Sequence, residues 1–232
     1  MTATASRTAL IIGASRGLGY ALAAEYLSRG WQVTATVRGA RRTELHDLAD
    51  SSAGRLVVET VDITVPEETT ALYDRLSQTR FDLLFINAGV TNGPEETIAD
   101  VSTDTFIRLM VTNALSPMRV IEALQALVVA DGTIAVMSSG QGSVTNNTRG
   151  GFEIYRASKS ALNQLMRSFA ARHADDPRTL LLMAPGWVQT GLGPRAPLTV
   201  DQSIPGVVNT IEAQAGKGGL QYLDYQGRTV SW

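Results

Sequence analysis

A chain of 232 residues can bury a sizeable core as one domain, and 44% hydrophobic with 18% charged residues is ordinary for a globular protein. The formal net charge of −2 provides no basic surface that would attract nucleic acid or an anionic membrane. Because the chain has no cysteine and only two histidines, disulfides, thiolate catalysis, a histidine-based triad and a zinc site are excluded.

The amino-terminal segment and the hydropathy of the chain indicate where in the cell the protein is expected. Residues 1–6 are mostly small and polar and lack the apolar core of a signal peptide. No window reaches the roughly 18 consecutive apolar residues that a membrane-spanning helix needs. We therefore expect a cytoplasmic protein with no membrane partner.

Short apolar runs alternate with longer helical patterns along the whole chain. The runs, at 8–12, 33–37, 56–61, 83–86, 134–137 and 180–183, are apolar on consecutive residues, as in strands covered on both faces. Helices are predicted between them at 18–29, 42–50, 66–79, 103–129 and 152–175. This alternation predicts a doubly wound parallel sheet between two helix layers, and the absence of a linker or repeat predicts a single α/β domain over residues 1–232.

The first predicted strand runs directly into a glycine-rich turn and then a helix. The turn reads Gly13, Ala14, Ser15, Arg16, Gly17, Leu18, Gly19. Glycines here allow a positive φ and a close approach of backbone to a pyrophosphate, and the helix N-terminus offers unpaired N–H groups to the phosphates. The alternative is an ordinary tight turn between strand and helix, so the spacing alone suggests a dinucleotide site without proving one.

The end of the second predicted strand indicates which dinucleotide is bound. A carboxylate at this point would bind the free ribose 2′-hydroxyl of NAD, but the chain instead has Arg38, and Arg16 lies in the glycine turn. Both side chains can form charge-assisted hydrogen bonds to a 2′-phosphate. We therefore expect NADP(H) to be preferred and NAD(H) to be possible, with merely solvated arginines as the alternative.

A tyrosine and a lysine lie one helical turn apart. Tyr155 and Lys159 project from one face of a predicted helix, and an ammonium one turn away favours the phenolate, which predicts a lowered tyrosine pKa. Upstream, a strand ends in Ser138 and Ser139, at the sheet edge where ligands bind in this architecture. We assign the catalytic hydroxyl to Ser139, because Ser138 would point away from the site as a strand residue.

Several motifs occur together in a fixed order. They are Gly13, Gly17 and Gly19, then Asn87, Ala88 and Gly89, then Asn113, Ser139, Tyr155, Lys159, Pro185 and Gly186. The set resembles the short-chain dehydrogenase/reductase family over essentially the whole chain, and residues 155–163 and 222–227 resemble a carbonyl-reductase branch that includes the sniffer and C-factor proteins. The resemblance implies a Rossmann-type fold.

The resemblance also implies a complete site. The catalytic residues would be Asn113, Ser139, Tyr155 and Lys159. The dinucleotide would contact Gly13, Ser15, Arg16, Gly17, Leu18, Gly19, Arg38, Asp62, Ile63, Asn87, Ala88, Gly89, Tyr155, Lys159, Pro185, Gly186, Val188 and Thr190. Lys159 would hold the nicotinamide ribose, and Asn113 would place a water that links Lys159 to solvent. A turn aspartate is the alternative for Asp62, and a helix-bending or buried structural amide is the alternative for Asn113.

Three departures from the family pattern stand out. Ile12 and Ala184 occupy positions where threonine and a polar residue are frequent, and neither should abolish the chemistry. The interval from Ser139 to Tyr155 is longer than usual and is expected to shape substrate access. Residues 191–199 are expected to form a mobile lid over the site.

These observations predict an NADP-dependent carbonyl reductase acting on a small, rather apolar carbonyl or alcohol, with Tyr155 as general acid. A dinucleotide-binding sensor or signalling protein, a nucleotide-sugar epimerase or dehydratase, and a structural partner protein are the alternatives. The family also implies a homo-oligomer built on the helices at 103–129 and 152–175, and we favour a homodimer.

Overall fold

The computed structural model describes residues 6–191, 193 and 195–232. Seven strands are formed: β1 (Thr8–Ile12), β2 (Gln32–Val37), β3 (Leu56–Thr60), β4 (Phe81–Ile86), β5 (Val128–Met137), β6 (Thr179–Ala184) and β7 (Gly219–Asp224). Seven α-helices connect them: α1 (Gly17–Ser28), α2 (Glu44–Ser51), α3 (Pro66–Leu76), α4 (Thr103–Met110), α5 (Ser116–Leu124), α6 (Glu153–Arg172) and α7 (Val200–Gln214). None of the helices in this part of the chain combines the length and apolar character needed to cross a membrane.

The strands form one parallel sheet in the order β3-β2-β1-β4-β5-β6-β7. The order reverses between β1 and β4, which is the switch point at which ligands bind in doubly wound folds. Each face of the sheet packs into its own core cluster: Leu10 and Ile12 contribute to one, and Ala9 and Ile11 to the other. The predicted doubly wound α/β fold is confirmed, and burial on both faces explains the continuous apolar runs.

Three elements differ from the sequence prediction. The helix predicted over 103–129 ends before Val128, because Val128 pairs with Phe81 at the start of β5. β7 was not predicted, because it is an edge strand whose first residue is exposed, whose next two are half-buried and whose apolar run is short. α7 was also not predicted, because Pro205 interrupts its helical pattern.

A π-helical turn, Val111–Leu115, separates α4 from α5. Such turns accommodate one extra residue within a helix and are frequent at functional sites. Asn113 lies at the centre of this turn and is fully buried. The predicted long helix therefore exists in two parts, with its irregularity at a predicted site residue.

Candidate active site

The glycine turn between β1 and α1 is held in place by two neighbouring strands. The Gly13 N–H donates to Thr36 Oγ1 at 3.0 Å, and the Ala14 N–H donates to the Thr36 carbonyl at 2.7 Å. From the other side, Asn87 Nδ2 donates to the Gly13 carbonyl at 2.9 Å. The turn is therefore fixed by β2 and by the segment after β4.

Close contacts exclude a side chain at Gly13 and at Gly19. A Cβ on Gly19 would lie 2.1 Å from the Gly13 carbonyl oxygen and 2.6 Å from Asn87 Nδ2, and one on Gly13 would lie 3.0 Å from Ala88. Gly13 also has a φ of +87°. The N-terminus of α1 has no side-chain cap, so its N–H groups are available to an anion. These features fit the pyrophosphate of a dinucleotide.

The arginines after β2 have different surroundings. Arg42 forms ion pairs with Asp47 and Asp50, whereas Arg16 and Arg38 are exposed and form no ion pair within the described ranges 6–191, 193 and 195–232. Arg38 lies near Asp62, which follows β3. Arg41, beside them in sequence, is likewise exposed and has no ion pair in the described part of the chain, so three arginines in this region are available to a phosphate.

Asp62 has a structural role of its own. Its Oδ1 accepts hydrogen bonds from the Thr64 N–H at 2.9 Å and from Thr64 Oγ1 at 2.6 Å, as in the alternative of a turn aspartate. Partial burial opposes its ionisation, but the bonds from Thr64 and the Arg38 charge hold the pKa of Asp62 below its usual value. The neighbouring Ile63 is buried in a core cluster.

The segment after β4 joins the glycine turn to the other half of the site. Ala88 packs beneath Gly13, and a Cβ on Gly89 would lie 3.4 Å from Asn113 Oδ1 and 3.6 Å from Lys159 Nζ. Asn87, Ala88 and Gly89 therefore lie between the predicted phosphate site and the predicted catalytic residues, as the family motif implies.

The two serines at the end of β5 point in different directions. Ser138 is buried, and its hydroxyl donates to Asn163 Oδ1 at 2.6 Å. The Ser139 hydroxyl accepts from the Gln141 N–H at 3.2 Å and is a hydrogen-bond partner of the Tyr155 phenol. Alternation of side chains along a strand separates the two hydroxyls in this way, and only that of Ser139 faces Tyr155.

We predict opposite effects for alanine substitutions at these two serines. Ser139→Ala should lower kcat by about 10²-fold, because it removes a donor to the substrate oxygen, with little change in stability. Ser138→Ala should lower the free energy of unfolding by roughly 1–3 kcal/mol, because Asn163 loses a buried partner, with kcat changed much less. Steady-state kinetics and urea unfolding of both variants check this, and a larger loss of kcat in Ser138→Ala would reassign the catalytic serine.

Tyr155 and Lys159 project from the first turns of α6. Lys159 is buried, with its Nζ 2.8 Å from the Met137 carbonyl and 5.9 Å from the centroid of the Tyr155 ring. Desolvation by burial lowers the pKa of Lys159 from 10.5 to about 8. This ammonium therefore changes charge much closer to neutral pH than an exposed lysine does.

The predicted lowering of the tyrosine pKa is wrong for this structure. Desolvation raises the pKa of Tyr155 above its ordinary value of 10, and the hydrogen bond with Ser139 offsets this only in part. Lys159 does not reverse the effect, since its Nζ bonds to the Met137 carbonyl and its own charged form is disfavoured by burial. Tyr155 is consequently a protonated phenol at neutral pH.

Asn113 is fully engaged with protein groups. Its Nδ2 donates to the Val90 carbonyl at 2.8 Å and to Ser158 Oγ at 2.9 Å, and its Oδ1 accepts from the Val90 N–H at 2.8 Å. It thus shows both features of the structural alternative, a buried amide within an irregular helical turn. It ties the segment after β4 to α6, while the water-placing role stays a prediction.

The segment after β6 closes over the glycine turn. Gly186 has a φ of +85°, and a Cβ there would lie 2.6 Å from Leu198 Cδ1. Val188 is buried and pairs with Leu198, and Thr190 Cγ2 lies 3.9 Å from the position of a Cβ on Gly17. The Pro185 carbonyl accepts from Ser203 Oγ, so Pro185 is anchored to α7.

The structure describes only part of the predicted lid, residues 191–199. Leu192 and Pro194 lie outside the described residues. Among the others, the Gly193 N–H donates to the Thr190 carbonyl and the Ala196 N–H to the Gly193 carbonyl. Gln189 Nε2 also donates to the Ala196 carbonyl at 2.8 Å. The described part is thus tied back to residues 187–190.

Several residues that support the site were not predicted. Thr36 anchors the glycine turn. Asn163 accepts the hydrogen bond of Ser138, and Tyr222 donates to the Ser139 carbonyl. Phe152, at the N-cap of α6, has φ 53° and ψ 38°, a left-handed conformation that costs a non-glycine residue about 1–2 kcal/mol. In the sequence, only the pair of glycines at 150–151 indicated the left-handed conformation of Phe152.

Comparison with known proteins identifies the chain. The family model described as short chain dehydrogenase matches residues 7–200. The chain belongs to the short chain dehydrogenase family. The matched residues carry the glycine turn, Ser139, Tyr155, Lys159 and the segment after β6, so the family's motifs coincide with the geometry above.

Three relatives of this short chain dehydrogenase illustrate the proteins to which it is similar. A short-chain dehydrogenase/reductase of Burkholderia multivorans with bound NADP is 59% identical, with a TM-score of 0.96 over 98% of this chain and 100% of that one. Carbonyl reductase Sniffer of D. melanogaster is 27% identical, with a TM-score of 0.86 over 98% of this chain and 100% of that one. C-signal of Myxococcus xanthus is 35% identical over 65% of this chain and 92% of its own length. The predicted resemblance to the sniffer and C-factor branch is confirmed.

Proposed function

We propose that the protein is an NADP(H)-dependent oxidoreductase that transfers hydride between the nicotinamide and the carbonyl or alcohol group of a small, apolar substrate. The observation that carries this proposal is that Ser139 faces the Tyr155 phenol, with the buried Lys159 behind them, beside a glycine turn fit for a pyrophosphate. The relatives support it, since one was crystallised with NADP and another is named a carbonyl reductase.

The dinucleotide would be held along the carboxyl ends of the strands. Its pyrophosphate would lie against Gly13, whose own N–H is bonded to Thr36, and would bind the N–H groups of Ser15, Gly17, Leu18 and Gly19. Its 2′-phosphate would bind Arg16 and Arg38. Asp62, Ile63, Asn87, Ala88, Gly89, Lys159, Pro185, Gly186, Val188 and Thr190 would complete its contacts. When bound, NADPH supplies the hydride that becomes the new C–H bond of the alcohol.

The protein supplies the proton and positions the substrate oxygen. The substrate oxygen accepts hydrogen bonds from Ser139 and Tyr155, and the Tyr155 O–H bond breaks as the alcohol O–H bond forms. Because desolvation raises the pKa of Tyr155 above its ordinary value, the phenol is present as the acid at neutral pH and can donate this proton. Lys159, still largely protonated below its pKa of about 8 and with its Nζ 5.9 Å from the centroid of the Tyr155 ring, would return a proton to the tyrosinate that remains.

The loops at this sheet edge favour an apolar substrate. Ile98, Val144 and Trp187 lie in the loops after β4, β5 and β6, and their side chains are 66%, 71% and 58% exposed. The loop after β4 also contacts the start of α6, since the Ile98 N–H donates to the Glu153 carboxylate at 2.8 Å. Apolar groups exposed on several loops around one site are suited to bury an apolar ligand.

Steady-state oxidation of NADPH with a panel of aldehydes and ketones tests the proposed reaction. We expect turnover with apolar carbonyls, with the alcohol formed in equal amount to the NADPH consumed. The similarity to C-signal favours a second candidate, a dinucleotide-binding signalling protein. NADPH binding without turnover across the panel would support that candidate and overturn the reductase.

The cofactor preference depends on the exposed arginines. Replacing Arg38 by aspartate should repel the 2′-phosphate and offer a carboxylate to a free ribose hydroxyl. Each charge-assisted contact contributes about 1.5–3 kcal/mol, so the kcat/KM ratio of NADPH to NADH should fall by roughly tenfold or more. Arg42→Asp is the matched control, because Arg42 is already paired with Asp47 and Asp50. An unchanged ratio in Arg38→Asp would remove the NADP preference while leaving the reductase intact.

Assembly as a homodimer is part of the proposal. Phe106 and Ile107 on α4, Leu115 in the π-turn and Leu165 on α6 are between 37% and 51% exposed. They lie on the two helical segments through which the family's oligomers are built. A cytoplasmic location and a single-domain organisation over residues 1–232 likewise stay predictions.

A further inference from the structure

Phe152 is a bulky residue in an unfavourable backbone conformation beside the proposed active site. Gly150, Gly151 and Phe152 have φ angles of 65°, 70° and 53°, so a bulky residue is the third of three in the left-handed region. Its side chain does not cap α6, although it occupies the N-cap position. Within the described residues, the half-buried ring belongs to neither core cluster. Glycine or asparagine would suit the backbone better.

The unfavourable conformation is held by neighbouring groups. The Phe152 N–H donates to the Pro94 carbonyl at 3.2 Å, and its carbonyl accepts from the Arg156 N–H at 2.8 Å. Arg156 Nε donates to the Gly151 carbonyl at 2.8 Å. The backbone is thus fixed from the loop after β4 and from α6, and strain maintained in this way next to an active site indicates a functional constraint.

The position of Phe152 indicates what that constraint is. It lies three residues before Tyr155, one helical turn from the proposed proton donor. The loops around this point carry the exposed Ile98, Val144 and Trp187. We propose that Phe152 determines specificity by packing its ring against the apolar substituent of a carbonyl substrate whose oxygen binds Tyr155. Aldehydes and ketones bearing an aromatic ring beside the carbonyl are then the favoured class. This inference rests on the proposed reductase function.

Phe152→Gly separates specificity from folding. Phenylglyoxal and methylglyoxal share the same dicarbonyl group and differ by a phenyl ring in place of a methyl group. Loss of the Phe152 ring should lower kcat/KM for phenylglyoxal by about tenfold or more and change that for methylglyoxal by less than about threefold. The melting temperature should equal or exceed that of the wild type, because glycine adopts the left-handed conformation without strain.

The chain provides a matched control for strain. Ala53, in the turn before β3, is the other non-glycine residue with a positive φ in the described part of the chain, at 54°. Ala53→Gly should relieve comparable strain and leave both substrates unaffected. Phe152→Leu, which keeps apolar bulk, should retain most of the activity towards phenylglyoxal.

The outcomes distinguish this inference from the function on which it rests. A lower melting temperature in Phe152→Gly with equal losses for both substrates would show that the ring is structural and would overturn the inference. An unchanged phenylglyoxal to methylglyoxal ratio would also overturn it and leave the reductase function intact. Absence of turnover by the wild type with every carbonyl would instead overturn the proposed function, and the role of Phe152 with it.

Discussion

Tyr155→Phe is expected to lower kcat by about 10²- to 10⁴-fold, because phenylalanine keeps the ring and loses only the proton that the substrate oxygen receives. Binding of NADPH should stay within about twofold of the wild type, since the proposed contacts of the pyrophosphate and 2′-phosphate lie elsewhere. Stopped-flow measurement of a single turnover, together with calorimetry of NADPH binding, checks both halves of this expectation.

Tyr73→Phe is the matched control for this substitution. Tyr73 lies on α3, packs against a core cluster and is not one of the predicted site residues. Removal of the Tyr73 hydroxyl should leave kcat unchanged. If Tyr155→Phe retained more than about a tenth of the wild-type kcat with chemistry rate-limiting, Tyr155 would not be the acid.

Lys159→Met should abolish activity and yet stabilise the protein without cofactor. The activity falls because the proposed proton source and ribose contact are both lost. Stability rises because burial of the ammonium disfavours the folded state: a pKa lowered from 10.5 to about 8 corresponds to roughly 3 kcal/mol at neutral pH. Loss of the bond to the Met137 carbonyl offsets part of this gain. Urea unfolding at pH 7 and calorimetry with NADPH measure the two effects.

The pH dependence of unfolding tests the same residue independently. Between pH 8 and 10.5 the unfolded chain holds a proton on Lys159 that the folded chain does not, so the free energy of unfolding should rise with pH through this window. The destabilising effect is fully present below pH 8. Subtracting the pH profile of Lys159→Met from that of the wild type should isolate this slope. Identical profiles would mean that Lys159 is not desolvated in the folded protein.

The parts of the site that follow from local pattern could be predicted from the sequence. The glycine turn must follow a strand and open a helix, and this context is visible at residues 8–19. The choice of Ser139 over Ser138 follows from the alternation of side chains along β5. The placement of Tyr155 and Lys159 on one helix face follows from helical periodicity.

The parts that depend on distant contacts could not be predicted. The pKa of Tyr155 is set by desolvation in the folded site, and a spacing of four residues to Lys159 contains no information on burial. Arg38 and Arg42 look equivalent in the sequence, and only the position of α2 pairs Arg42 with two aspartates. The start of β5 at Val128 is decided by pairing with Phe81, across nearly fifty residues of chain.

The π-turn at Val111–Leu115 has a consequence for how such a chain can evolve. Each residue of an α-helix advances by about 100°, so the extra residue in the turn sets the rotation of α5 relative to α4. Deleting any one residue there would restore regular helix, turn Asn113 away from Val90, and swing the buried side chains of α5 out of the core. Substitutions can accumulate along this helix one at a time, but the loss of a single residue would disrupt the packing of α5. An insertion or deletion must occur in the loops at either end.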